Sequence, residues 1–156
     1  MKNLTQIEFN QMYKDGIKDF NNLDLSFLDL SNKNLIGFNF SNAILKYVNL
    51  TAANLTNTNL TKSVLLRVDL SYANLTKSDL TNANLRCANL IYANLTGANL
   101  KRADLAYADL TNANLTKVKF AGANLTNTNL FYSNLTNTNL SGVKFYKKYI
   151  LIRKKD

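Results

Sequence analysis

Residues 81–115, cut every five, read TNANL RCANL IYANL TGANL KRADL AYADL TNANL. Leu85, Leu90, Leu95, Leu100, Leu105, Leu110 and Leu115 fall in one phase, each preceded by Asn or Asp and, two before, by Ala. The phase extends outward in both directions. Every position divisible by five from Phe20 to Phe145 is Leu or Phe, with no insertion or deletion. A period of five suits neither regular element. On an α-helix five residues advance by roughly 500°, so successive leucines would smear around the cylinder. On a straight strand an odd period sends alternate leucines to opposite faces. Asn, Ser and Thr are also poor helix interiors, because their side chains compete for backbone hydrogen bonds. All the leucines share one side only if the chain turns within each pentad. Repeated turning of one hand makes a coil with Leu inside, the Ala two residues earlier forming a second, narrower inward site. The sequence therefore predicts a solenoid.

The phased A-N/D-L-T/S-x pattern over residues 20–145 resembles the pentapeptide-repeat family. That resemblance implies an all-β fold, a right-handed quadrilateral β-helix with one pentad per side and four per coil. Three segments follow: an N-terminal helical cap at 1–19, the β-helix at 20–145 and a basic tail at 146–156.

Composition agrees with one elongated domain. The 156 residues include no Pro or Trp and only five Gly, so the turns are expected to use ordinary residues. The net charge of +9 divides as zero in 1–19, +5 in 20–145 and +4 in 146–156. The single Cys87 excludes an intramolecular disulfide and suits a reducing compartment. No stretch is apolar for long enough to span a membrane, and there is no charged-then-apolar leader, so the expected location is cytoplasmic. Catalytic chemistry is nearly absent. The chain has no His, one Cys and a single glutamate, Glu8. No phosphate-cradling Gly loop interrupts the coils, and no catalytic residue, metal or cofactor is expected.

Taking the chain in order, residues 4–16 (LTQIEFNQMYKDG) predict the one helix. Thr5 and Glu8 make a capping box, Leu4 and Phe9 a hydrophobic staple, and Gly16 suits the C-terminal end. Ile7, Phe9, Met12 and Tyr13 are its expected apolar side. A solenoid exposes raw core and unpaired strand edges at its ends, so this helix is expected to be a cap. The first coil, 21–40, carries Leu23, Leu28, Lys33 and Phe38 at its narrow inward sites, which predicts a wider, less regular coil beneath the helix. The Lys33 stem is expected along the core rim with its ammonium in water.

From Ser41 to Phe145 the repeat is nearly clean, with Leu75, Leu80, Leu85, Leu90, Leu95 and Leu100 among its central core residues. The information lies in the outward positions, which four pentads per coil sort into columns A to D. Column B, centred on Leu30, Leu50, Leu70, Leu90, Leu110 and Leu130, has no Lys or Arg. It carries Asp29, Asp69 and Asp109 with Tyr72, Ile91, Tyr92, Phe131 and Tyr132, the candidate interaction face. Column D, opposite, carries Lys62, Lys101, Arg102 and Lys119, the candidate basic face. Column A adds Lys46, Arg67, Arg86 and Lys144, and column C adds Lys77 and Lys117. Column C also presents Thr56, Thr76, Thr96, Thr116 and Thr136 in a ladder that the repeat consensus explains. The Asn before each Leu reads as turn chemistry.

The tail YKKYILIRKKD breaks the pattern and reads as an end cap or a dimerisation segment. The expected function is a non-catalytic scaffold offering flat faces to a protein partner of unknown identity, with homodimerisation through the tail or the aromatic column. As an alternative, the resemblance implies a DNA-mimicking binder of type II topoisomerase (DNA gyrase). Such rods are acidic, whereas this one has only six acids in its repeats. Anion or nucleic-acid binding through the basic columns is a second alternative, weakened by the absence of a dense positive stripe or of stacked aromatics among those charges.

Overall fold

A turn inside every pentad makes the coil. The central residue's carbonyl accepts from the N–H three residues on, as in Ala73 N–H to Leu70 O at 3.1 Å. The second turn residue has positive φ throughout. Residues 22 to 142, taken every five, are twenty-one non-glycines with φ between 54° and 67° and four glycines, Gly37, Gly97, Gly122 and Gly142. Positive φ at the third position of a four-residue turn marks the type II geometry. The turns do use ordinary residues, but in a backbone region that costs L-residues about 1–2 kcal/mol each. No Val, Ile, Thr or Leu stands at any of these positions.

The computed structural model describes residues 1–145 and contains a helix, one short strand pair and a column of stacked coils. Each coil pairs with the next in parallel at a spacing of twenty residues, from Asp19 with Asn39 to Asn124 with Lys144. Twenty residues at one pentad per side make four sides. Hydrogen bonds such as Leu50 N–H to Asp69 O and Leu90 N–H to Asp109 O, both 2.7 Å, repeat along each side.

The core is the predicted one. Leu75, Leu80, Leu85, Leu90, Leu95 and Leu100 are buried, as are Ala73, Ala83, Ala88, Ala93 and Ala98 in the narrow sites. Where Ser or Thr replaces Ala, its hydroxyl donates to a Leu carbonyl: Ser63 to Leu60 at 2.7 Å, Thr128 to Leu105 at 2.8 Å. No buried side-chain polar atom among the described residues lacks a partner. Burial fails at one end, where Leu135 and Leu140 are only part-covered and Phe145 is exposed. Full burial of every central residue therefore holds only inside the stack.

The other end is sealed. Helix α1, Gln6–Lys14, begins at N-cap Thr5 with the Glu8 capping box. The helix buries Phe9, but Ile7 is 82 % exposed and does not belong to its apolar side. Strand β1 (Lys2–Asn3) pairs in parallel with β2 (Leu23–Asp24) and covers the edge of side A. The Gln6 amide covers side B, accepting from Asp29 N–H at 2.8 Å and donating to Asp29 O at 3.2 Å. The Tyr13 hydroxyl covers side C, donating to Asn34 O at 3.3 Å. Backbone from Lys18 onward covers side D through Asn39 N–H to Lys18 O. Phe9, Tyr13, Phe20, Phe38 and Phe40 fill the space beneath, with centroids 5.0–6.0 Å apart.

The first coil is not irregular. Leu25 and Leu30 bond to the coil above at 2.8 Å like any later pair. Its large side chains meet the cap instead of widening the coil. The Lys33 ammonium lies 5.0 Å from the Tyr13 ring centroid and 5.9 Å from that of Phe9, held by cation–π attraction beneath the helix. The tail at 146–156, read as a cap or dimerisation segment, lies outside the described residues.

Candidate interaction face

The two turn residues of a pentad stand at the corner that leads into the next side. Side B therefore has two rims. One is the turn row that closes column B, and the other is the turn row that closes column A. Its middle row is the bridge position, Asp29, Asn49, Asp69, Asn89, Asp109 and Asn129.

The closing rim carries the predicted aromatics. Tyr72 and Tyr92 are 61 % and 51 % exposed and stack at 5.1 Å with 13° between ring planes. Phe131 and Tyr132 are exposed and meet edge to face at 4.0 Å. Ile91, beside them, is only half-buried. Grouping by pentad missed the opposite rim. There Phe27 and Tyr47 stack at 5.2 Å and 3°, and Tyr107 stands three coils beyond Tyr47. Among the described residues, seven of the eight exposed aromatics flank side B, and the eighth is Phe145 at the open end. The phase of the turn was the signal that would have found the second rim.

Electrostatics differ between the rims. The closing rim holds no charge, whereas Lys46, Arg67 and Arg86 stand on the other. The Arg67 guanidinium lies 6.0 Å from the Tyr47 centroid, and that of Arg86 lies 5.5 Å from Tyr107. Arg86 also pairs with Asp104 at 3.4 Å, both half-exposed. Column A thus does combine cations with stacked aromatics, contrary to the sequence expectation. The rings of Phe27 and Tyr47 face each other, and Tyr47 and Tyr107 also each lie against a guanidinium.

The carboxylates of side B are engaged locally. Asp69 Oδ1 accepts from Ser71 N–H at 2.9 Å and from its hydroxyl at 2.7 Å. Asp109 does the same with Thr111 at 2.9 and 2.6 Å. Asp29 accepts from Ser31 N–H, which is the main reason its carboxyl sits below the usual range. The same pattern at Asn54, Asn74, Asn94, Asn114 and Asn134 uses the hydroxyl hydrogens of the column C threonines.

Column D leaves its cations without carboxylate partners among the described residues. Lys62, Lys101, Arg102 and Lys119 are all exposed and none makes an ion pair among the described residues. Asp79 shares their side. No group of His, Cys, Asp or Glu among the described residues has metal-site geometry, and no helix there is long and apolar enough to cross a membrane.

Comparison places this geometry among known folds. The family described as pentapeptide repeats matches residues 19–55, 48–86, 83–120 and 108–145. A pentapeptide repeat protein of the Arabidopsis thaliana thylakoid lumen is 34 % identical with a TM-score of 0.60. That match covers 61 % of this chain and 66 % of the other, just under two thirds of its length. QnrB1, a plasmid-mediated fluoroquinolone resistance protein, superposes over 82 % of this chain and 84 % of its own at a TM-score of 0.52. At 21 % identity it shares the fold alone. A pentapeptide repeat protein from the cyanobacterium Cyanothece 51142 is 28 % identical, covering 89 % of this chain and 95 % of its own, with a TM-score of 0.40. No curated protein matches the sequence.

Proposed function

This chain belongs to the pentapeptide repeat family, and from that premise we propose that it is a non-catalytic scaffold that engages protein through side B. The observation that carries this reading is the concentration of seven exposed aromatics on the two rims of one side out of four. Exposed Tyr and Phe clusters are what interface cores use, and a solenoid needs none of them for solubility. Side D is flanked by no exposed aromatic among the described residues, and sides A and C only by the rim that each shares with side B, the exposed Phe145 at the open end apart. The Lys and Arg side chains of sides C and D read as a solvated surface.

The ring geometry favours protein over nucleic acid. Single strands bind by laying bases on exposed ring faces. Here Tyr72 and Tyr92 cover each other, as do Phe27 and Tyr47. One face of each of these rings is therefore turned to its partner and closed to a stacking base. Mimicry of DNA toward a topoisomerase is the weaker reading, because side B has only three acids and each already accepts hydrogen bonds from its own turn.

The bland alternative is that aromatic pairs merely stabilise neighbouring coils, as cross-strand pairs do. Mutation separates the two. Tyr92→Ser with Phe131→Ser, immobilised beside the native chain as bait, is expected to lose captured protein while its melting temperature stays nearly unchanged. Reduced stability with undiminished capture would make the rims structural and place the interface elsewhere.

A further inference from the structure

We infer that the occupant of side B is a second copy of this chain, docked with its rod parallel about a two-fold axis that runs along the interface. The inference rests on side B being a protein-contact surface and adds what contacts it. The two rims are complementary in size, coil by coil. On the first coil Phe27 stands across the side from Asn32, on the second Tyr47 from Ala52, and on the fifth Tyr107 from Asn112. On the fourth and sixth the order reverses, with Tyr92 across from Cys87 and Tyr132 from Asn127. No coil carries an aromatic at the second turn position on both rims.

A two-fold axis parallel to the rod is the operation that lays one copy's column A rim on the other's closing rim at the same level. On five of the six coils the protruding ring then meets a small residue of the second copy. The third coil breaks the size rule with Arg67 across from Tyr72, but a guanidinium against a ring is an attractive pair. Charge agrees, since the three cations of one rim would face a rim with no charge, and each copy supplies both rims. An antiparallel pairing would instead bring the two cationic rims together. The middle rows of short Asp and Asn sit below the rings, so the taller rims keep like carboxylates apart. Such an interface is isologous and closes at two copies. Its six levels span about 24 Å, which places it at the small end of specific interfaces and predicts a reversible dimer.

Cys87, exposed on one rim, gives the test. In the proposed dimer it faces position 92 of the second copy, whereas the two Cys87 residues lie on opposite edges. Tyr92→Cys in the full chain, treated with a mild thiol oxidant, is expected to give covalent dimers in which peptide mapping finds only 87-to-92 linkages. Asn112→Cys, one level away on the same rim, is expected to cross-link far less. Ala52→Tyr in the otherwise native chain puts rings on both rims of the second coil and fills the hollow opposite Tyr47, and should weaken dimerisation seen by sedimentation about tenfold or more, with the melting temperature unchanged. Dimers linked 87-to-87, equal cross-linking of Tyr92→Cys and Asn112→Cys, or indifference to Ala52→Tyr would overturn the arrangement. A native chain that sediments as a monomer at every concentration, together with a Tyr92→Cys chain that forms no 87-to-92 linkage, would overturn the second copy as occupant. In that case, loss of capture by Tyr92→Ser with Phe131→Ser would still leave side B as a surface for another protein.

Discussion

Gly97 offers the cleanest measurement of the left-handed turn. Its φ is 70°, and a methyl group built there would meet only the Lys77 Cγ at 3.7 Å, ordinary van der Waals contact. Gly97→Ala therefore isolates the backbone cost from any clash. Holding an L-residue at positive φ costs about 1–2 kcal/mol, and reduced freedom of the unfolded chain returns about 0.4–1 kcal/mol. The net loss should be about 1 kcal/mol, or a fall of about 2–4 °C in Tm for a chain of this length. Gly97→Val adds a branched Cβ in a region such side chains avoid, and should lose clearly more. The reverse change, Ala52→Gly at φ 55°, should be neutral to slightly stabilising. Thermal unfolding followed by circular dichroism measures all three. If Gly97→Val melts within a degree of Gly97→Ala and of the native chain, the turn is not left-handed and the account of the coil fails.

Four further outcomes follow from the core and the cap. Leu95→Ala, buried mid-stack, should lose about 2–5 kcal/mol because the coils on either side cannot collapse around the void. Ala93→Leu should lose about 1–3 kcal/mol by overpacking the narrow site, and denaturant unfolding of both variants checks the inward assignments. Deleting residues 1–16 uncovers the edges held by β1, Gln6 and Tyr13, so light scattering should report aggregation. Glu8 is held at a pKa of about 2, against 4.5, chiefly by its bond from the Thr5 backbone N–H, then by the Thr5 hydroxyl and Lys2. A depressed acid stabilises the fold above its unfolded value and ceases to as pH falls through the folded one. The cap should therefore loosen between about pH 4.5 and 2, and Glu8→Gln should flatten that dependence in a helix-sensitive titration.

The phase of Leu at every fifth position was enough for the coil, because only turning within each pentad can bury that pattern. Thr5 and Glu8 revealed the start of the helix for an equally local reason. What stayed hidden was non-local. Gln6 finding Asp29, and Tyr13 finding Asn34, depend on where the helix lands on the first coil, which no periodicity encodes. Lys33 under Phe9 and Tyr13 belongs to the same contact. The second rim was hidden differently. Phe27, Tyr47 and Tyr107 belong by sequence to column A, but the turn carries them to the border of side B. Its signal was present all along, in a row of positions that never holds a β-branched side chain.

The twenty-residue pairing makes each face of the rod a matter of remainder arithmetic. Removing residues 61–65 keeps the Leu phase, since Leu60 would simply be followed by Leu66-Arg67-Val68-Asp69-Leu70. The interior would barely notice. Outside, everything downstream would index back by a quarter turn, so that Tyr72 and Tyr92 come to stand directly above Phe27 and Tyr47 in one unbroken file. Removing twenty residues would shorten the rod and leave every downstream file aligned with those upstream. Surface pattern and folding core are thus on separate dials, one advancing by five and the other indifferent to it. Slippage by a single repeat unit would rewrite what the molecule shows to its surroundings without asking anything new of its interior.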